Sequence, residues 1–286
     1  MKKSIFEIRS VIQDCRSQVV GGIKTGVLLW ESCLLPFLLY NSSTWLEISK
    51  NDMEILCKLQ RLFLNTLLGV RNCPAGLMLW DLAMLDMPLR IMKEKALLYH
   101  HISCLSKTLL AFRVQEVQDH LHLPSLHQEV SPFLAKFGIV DVTQYSKEQW
   151  RRFVKRSINE LNRIHILNQL KNYKKVDYFE IATEEFKFKD YFNELNLELA
   201  RLKFRSRASI MSSCSTHYPN NPEYIKNAFK CHEKGCLELD TLFHWETSKC
   251  YENLKISGRL SNDEELCQFY KRVIQHRMDS IGIRCD

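Results

Sequence analysis

The chain has 286 residues, of which 45% are hydrophobic and 26% are charged. This composition excludes an intrinsically disordered chain, because enough apolar surface is present to bury a core. An all-β sandwich is disfavoured, since 9 Gly and 7 Pro supply too few tight turns for its many connections. We therefore expect a mainly α fold, organised as a multi-helix array.

The formal net charge of +7 is concentrated in the middle third of the chain. Residues 141–230 contain 17 Lys and Arg against 11 Asp and Glu, an excess of +6. A local excess of this kind favours contact with phosphate groups, although a solvated helix surface gives the same composition.

Cysteine usage and hydropathy indicate the compartment. The 11 Cys are an odd number scattered through apolar helical runs, as in reduced intracellular proteins rather than secreted disulfide frameworks. Glu7 and Arg9 interrupt the apolar region that a signal peptide needs. The most apolar stretch, residues 27–40, is too short to span a bilayer and contains Glu31 and Pro36. We expect a protein of the nucleus or cytoplasm, outside the membrane.

The first of three predicted regions, residues 1–122, is a series of thumb-like helices. Ser49 is a plausible N-cap, with Asp52 three residues later, and Gly69 stands where a C-terminal glycine would end the helix. The apolar positions between them step by three and four residues, as a buried helix face requires: Leu56, Leu59, Phe63 and Leu67.

The second region, residues 123–213, contains the clearest helix. Ser146 and Gln149 form a capping box, and the helix is expected to run to about Tyr173. At about 100° per residue, one face collects Trp150, Val154, Ile158, Leu161 and Ile164. The opposite face collects Arg151, Arg152, Lys155, Arg156 and Arg163. This basic face is a candidate nucleic-acid surface, and the alternative is the ordinary solvated face of a packed helix.

A second basic segment, residues 194–207, carries Arg201, Lys203, Arg205 and Arg207 at every second position. Helix-forming residues dominate it, so a helix is favoured over a strand. Four cations so close together are a candidate phosphate-binding element. The alternative is salt bridges to Glu194 and Glu198.

The third region, residues 214–286, is predicted to hold a small zinc-knuckle-like segment and a closing helix that begins near Ser261. Structural zinc is held by four nitrogen or sulfur ligands from two short chelating turns. The ligand-like set is Cys231, Cys236, His244 and Cys250, and its rivals are His232, Cys214 and His217. Chance placement remains an alternative in a chain this rich in cysteine, and the spacings are longer than usual. Three Cys and one His would close the zinc shell, which disfavours a zinc-dependent hydrolase.

Several motifs resemble the region that follows the polymerase active site in non-LTR, LINE-like retrotransposon reverse transcriptases. That family has a Leu-Pro-x-Leu-Leu-Tyr-Gly-Ser-Glu-x-Trp run, a helix with a Leu-Gln-x-x-Phe-Leu core, and a Leu-Gly-Val end. The matching residues here are Leu35, Pro36, Leu38, Leu39, Tyr40, Ser42, Trp45, Leu59, Gln60, Phe63, Leu64, Leu68, Gly69 and Val70. The chain departs from the family at Asn41, which replaces the glycine, and at Ser43, which replaces the acid.

The resemblance extends to the end of the chain. Residues 196–207 are similar to the basic segment before the knuckle in related elements, and the family's Asp-Thr dipeptide corresponds to Asp240 and Thr241 ahead of His244. The resemblance implies structural Zn2+ and binding of RNA and DNA. It also implies an upstream polymerase domain in the same polyprotein.

The resemblance does not imply an enzyme on this chain. The polymerase of the family uses an Asp-Asp pair to bind two Mg2+ ions, and no Asp-Asp dipeptide occurs here, so no Mg2+ site is expected. The predicted function is a non-catalytic nucleic-acid-binding fragment. The alternative is a host-captured helical protein-interaction module, folded by zinc and without a nucleic-acid function.

Overall fold

The computed structural model describes residues 22–70, 73–173, 178–208, 236, 245–246, 249–255 and 262–280. Within these ranges the chain is mainly α, as the composition predicts, and contains no strand. In chain order, the α-helices are α1 (Gly22–Leu29), α2 (Leu35–Leu38), α3 (Lys50–Leu68), α4 (Ala75–Asp81), α5 (Met87–Ser103), α6 (Leu110–His120), α7 (Leu126–Lys136), α8 (Lys147–Lys171), α9 (Tyr178–Thr183), α10 (Tyr191–Glu194), α11 (Leu197–Arg207) and α12 (Asp263–Ser280). A π-helical turn, Trp30–Leu34, joins α1 to α2, and 3-10 turns cover Ser42–Thr44, Val142–Gln144 and Lys249–Leu254.

Helix α3 has the predicted limits. The Ser49 hydroxyl accepts a hydrogen bond from the amide of Asp52 at 3.1 Å, as an N-cap does. At the other end Gly69 has a φ of +62° in the left-handed region, and the amide of Val70 donates to the carbonyl of Asn65. Both signals act locally, and for that reason they can be read from the sequence alone.

The described residues bury three apolar clusters. The first joins α1 to α4 with the C-terminal half of α8 and with α9 to α11. The second joins α5, α7 and the N-terminal half of α8, and the third joins α11 to α12, Trp245 and Tyr251. The division into regions 1–122, 123–213 and 214–286 stays a prediction, although each of the three clusters draws on two of these regions.

Helix α8 connects the first two clusters and changes its buried face between them. Its N-terminal half buries Trp150, Val154 and Ile158 in the second cluster, as predicted. Its C-terminal half buries Ile166, Leu167 and Leu170 in the first cluster, and these lie on nearly the opposite side of the helix. The prediction that Ile164 continues one apolar face is therefore wrong, and its side chain is 41% exposed.

The closing helix α12 forms where a helix was predicted. Its first turn is capped by Asn262, whose side-chain oxygen accepts a hydrogen bond from the amide of Glu265 at 2.9 Å. Ser261, which was predicted to be the cap, lies outside the described residues. Over residues 263–276 of α12, the buried side chains are Cys267, Phe269, Tyr270 and Val273, and they pack in the third cluster.

Candidate nucleic-acid interface

The N-terminal half of α8 carries four exposed basic side chains, which we call the basic ridge: Arg151, Arg152, Lys155 and Arg156. In the described part of the chain, the ion pairs of α8 are Arg163 with Glu160 and His165 with Asp86. No residue of the basic ridge is in either pair. Four positive charges thus face solvent within six residues, without a carboxylate bound to them in the described ranges.

The side of α8 that faces solvent is determined by the buried residues on its opposite side. The capping box forms as predicted, because the Ser146 hydroxyl accepts from the amide of Gln149 and the Gln149 side chain accepts from the amide of Ser146. Trp150 is 1% exposed, and its indole nitrogen donates to the carbonyl of Ala96 at 2.9 Å. A buried, hydrogen-bonded tryptophan fixes the rotation of the helix about its axis. The basic side chains on the far side therefore point to water.

Carboxylates flank the basic ridge without neutralising it. Glu160, one turn beyond Arg156, lies 3.4 Å from Arg163, and both side chains are well exposed. Arg163 was predicted to share the basic face, but this pairing offsets its charge. Glu148 lies exposed in the first turn of the same helix. The remaining cluster of like charges creates a local positive potential that favours anions.

The second basic segment forms the predicted helix, α11, but its basic side chains bind other groups of the same chain. The Arg201 guanidinium donates to the carbonyls of Leu67 at 2.9 Å and Thr66 at 3.3 Å. Arg205 donates to the carbonyl of Gly69 at 2.6 Å. These carbonyls belong to the last turn of α3 and its C-cap, where the helix leaves acceptors unpaired and its dipole is negative. Two arginines of α11 thus cap the C-terminus of α3.

Arg207 is the centre of a buried charge network. Its guanidinium contacts both carboxylate oxygens of Asp81, at 3.0 and 3.2 Å, and both of Glu184, at 2.8 Å each. Asp81 is 0% exposed and also accepts a hydrogen bond from the Tyr191 hydroxyl at 2.8 Å. Lys189 binds Glu184 on its other side. The network joins α4, α10, α11 and the segment after α9.

The pKa shifts in this network follow from burial opposed by pairing. Burial raises the pKa of Asp81, and the Arg207 guanidinium acts against that shift. Burial alone would lower the pKa of Arg207, but the carboxylates of Asp81 and Glu184 raise it. Burial would likewise raise the pKa of Glu184, yet hydrogen bonds from Arg207 and Lys189 hold it below its usual range. Arg207 therefore stays charged, as its pairing requires.

Lys203 completes the set of four predicted phosphate ligands in α11. Its ammonium lies 2.7 Å from the carboxylate of Asp263, which joins α11 to α12. The predicted alternative of salt bridges to Glu194 and Glu198 is not found within the described ranges, where Glu198 pairs with Lys271. All four basic side chains of the segment have partners inside the chain, which a phosphate would have to displace. Among the eight basic residues predicted to bind nucleic acid, the four of the basic ridge are therefore the ones open to phosphate in the described structure.

The predicted zinc ligands are described only in part. Cys231 and His244 lie outside the described residues, as do the rivals His232, Cys214 and His217. Cys236 and Cys250 are described, and both are half-buried against the third cluster. Among the residues that can be placed, no group of three or more His, Cys, Asp or Glu side chains could hold a metal. The zinc site stays a prediction.

Comparisons with protein-family models, with curated proteins and with solved structures find no match to this chain. None of the described helices combines the length and the apolar character needed to cross a bilayer. The Arg207 network was not predicted, because its members are separated in the chain by up to 126 residues and no local pattern connects them.

Proposed function

We propose that the chain is a non-catalytic, nucleic-acid-binding part of a retroelement reverse transcriptase, and that the basic ridge binds the phosphate backbone of RNA or DNA. The observation that carries this proposal is the set of four exposed cations on one rigid helix, none with a carboxylate partner in the described ranges. Phosphate binding at such a cluster releases counterions from the nucleic acid. Backbone contacts carry little sequence information, so specificity from the ridge alone should be low.

The conformation of Asn41 supports the proposed relationship. This residue replaces the glycine of the family motif, and its φ of +55° lies in the left-handed region. Glycine adopts that region most readily, and asparagine is among the few other residues that tolerate it. The motif residues Leu59, Phe63 and Leu68 are all buried in the first cluster. The motif thus coincides with positions that have definite structural roles.

Under the proposed relationship, this chain would bind nucleic acid and another domain of the polyprotein would catalyse polymerisation. The sequence contains no Asp-Asp dipeptide, so the metal-dependent polymerase chemistry would come from an upstream domain. A structural Zn2+, held by Cys231, Cys236, His244 and Cys250, would fold the segment before α12. By holding that segment in place, the zinc would stabilise the third cluster.

Charge reversal on the ridge tests the proposal. The double variant Arg152→Glu/Arg156→Glu should weaken binding of a short single-stranded RNA by about 100-fold or more at low salt, because two contacts become repulsive. The matched control is Lys24→Glu/Lys107→Glu, which changes two exposed lysines outside α8 by the same total charge. Fluorescence anisotropy measures both. Equal losses in the two variants would show that net charge, and not the ridge, carries binding.

A second candidate function, a helical protein-interaction module, is favoured by the surface of α6. This helix buries no residue and exposes an apolar stripe at four-three-four spacing: Leu110, Val114, Val117 and Leu121. Exposed apolar stripes of this kind are typical of contact surfaces between proteins. A chain with no affinity for RNA or DNA at low salt would favour this candidate over the first.

A further inference from the structure

A groove of about 760 Å³ lies beside the basic ridge, between α8 and residues 182–186. Its lining comes from α8, from Phe137 and from residues 182–186, of which Ala182 and Phe186 pack against the first cluster. Arg156 belongs to both features, because it lines the groove and is the last cation of the ridge. A strand whose phosphates lie on the ridge would therefore pass directly over the opening of the groove.

Aromatic rings line part of this groove and are held from behind. Phe153 and Phe137 meet edge to face with ring centroids 5.8 Å apart, and both pack against the second cluster. On the other side Phe186 packs against Trp80 at 5.3 Å. All three residues are half-buried. Fixed aromatic rings beside a basic surface are what unpaired bases use as stacking platforms.

The charged side chains that line the groove are three carboxylates and two guanidinium groups, those of Arg156 and Arg163. The lining includes the carboxylates of Glu160, Glu184 and Glu185. Glu184 is held by Arg207 and Lys189, and Glu160 by Arg163. Glu185 is exposed, and its carboxylate has no ion-pair partner in the described ranges. The Glu185 carboxylate can therefore accept a hydrogen bond from a donor group that enters the groove.

We propose that this groove takes one unpaired nucleobase that carries an exocyclic amino group, from a single strand held by the ridge. The proposal rests on the nucleic-acid function above and deepens it. Cytosine presents an amino donor that suits Glu185 and ring acceptors that suit the Arg156 guanidinium. Uracil presents a carbonyl oxygen where cytosine has its amino group, and a carboxylate repels it. The ridge thus supplies affinity and the groove supplies base preference.

Two RNA 12-mers, one of cytidine and one of uridine, test this preference. Both are pyrimidine strands with the same number of phosphates, so their phosphate contacts with the ridge should be alike. We expect the cytidine strand to bind about tenfold more tightly, as one well-placed base contact allows. Fluorescence anisotropy at one salt concentration gives the two affinities and their ratio.

The variant Glu185→Gln should bring that ratio close to one, because an amide can donate to uracil as well as accept from cytosine. Its matched control is Glu148→Gln, which removes the same charge from α8 outside the groove lining and should leave the ratio unchanged. Both glutamates are exposed, so neither variant should impair folding.

The outcomes separate the two proposals. Equal binding of both strands by the wild-type chain overturns the groove proposal and leaves the ridge intact. A preference for cytidine that survives Glu185→Gln overturns the assigned carboxylate and with it the proposal. Failure of the wild-type chain to bind either strand overturns the nucleic-acid function itself, and the groove proposal fails with it.

Discussion

The two basic segments of this chain have almost the same composition and opposite environments. The ridge has four cations in residues 151–156, and α11 has four in residues 201–207. The ridge cations face solvent, whereas those of α11 bind helix-end carbonyls and carboxylates within the chain. The partners of Arg201 and Arg205 lie 134 to 136 residues away in sequence. A cluster of basic residues therefore indicates phosphate binding only after its internal partners are known.

Removal of the predicted zinc should have the largest effect on folding, and it should affect α11 and the basic ridge differently. Structural zinc contributes on the order of 10 kcal/mol to small folded segments, so chelation should disorder the third cluster, to which α11 contributes. Elemental analysis should find one zinc per chain, and circular dichroism should report lost helicity after chelation. RNA affinity at the ridge should fall far less than after Arg152→Glu/Arg156→Glu.

A cysteine variant sharpens the zinc test. Cys236→Ser should release the metal and reproduce the effect of chelation, while Cys33→Ser, an exposed cysteine in the π-helical turn, should retain it. A wild-type chain that contains no zinc, and whose helicity does not change when a chelator is added, would contradict the predicted zinc site.

Arg207→Met should lower the free energy of unfolding by about 3–5 kcal/mol, because Asp81 would be left buried without its cation. Urea denaturation measures the change. The double variant Asp81→Asn/Arg207→Met should recover part of the loss, since neither charge is then buried alone. A single variant within about 1 kcal/mol of wild type would show that the network contributes little.

Arg205→Ala should destabilise the chain by about 2 kcal/mol, because the carbonyl of Gly69 would lose a charged donor at the end of α3. Its counterpart on the ridge, Arg151→Ala, should change stability by no more than about 0.5 kcal/mol, because that side chain is exposed. RNA affinity should show the reverse order. Thermal or urea unfolding combined with anisotropy gives both orders, and equal effects of the two variants would contradict the distinction between the segments.

Among the α11 variants, Lys203→Ala should have the smallest effect on stability, below about 1 kcal/mol, since the side chain of its partner Asp263 is 44% exposed and solvent weakens such a pair. Unfolding in urea at low and high salt measures the change. A loss as large as that of Arg207→Met would mean that the α11 to α12 contact depends on this ion pair.

Local signals account for the parts of the fold that could be predicted. The caps at Ser49, Gly69 and Ser146 act within one turn of the chain, and each forms as expected. The buried face of α8 was predicted for its first half only. Its second half packs against the first cluster with the opposite side of the helix. The spacing of apolar residues in one helix does not predict that its two halves pack against different clusters.

The candidate site was predictable to the same extent. The ridge follows from helical spacing once Trp150 is assigned to the core. Arg207 is not available to phosphate because it binds Asp81 and Glu184, which come from two other segments of the chain. The groove has no sequence signature, because Phe137, Phe153 and Glu185 come from three separate parts of the chain.

The salt dependence of RNA binding tests the central claim most directly. If the four ridge cations contact phosphates of single-stranded RNA, the logarithm of the affinity should fall with the logarithm of salt concentration with a slope of about −3. In Arg152→Glu/Arg156→Glu the slope should shrink to about half of that or less, as two contacts are lost. A steep slope that is the same in the wild type and in this variant would place the phosphate contacts elsewhere and contradict the account.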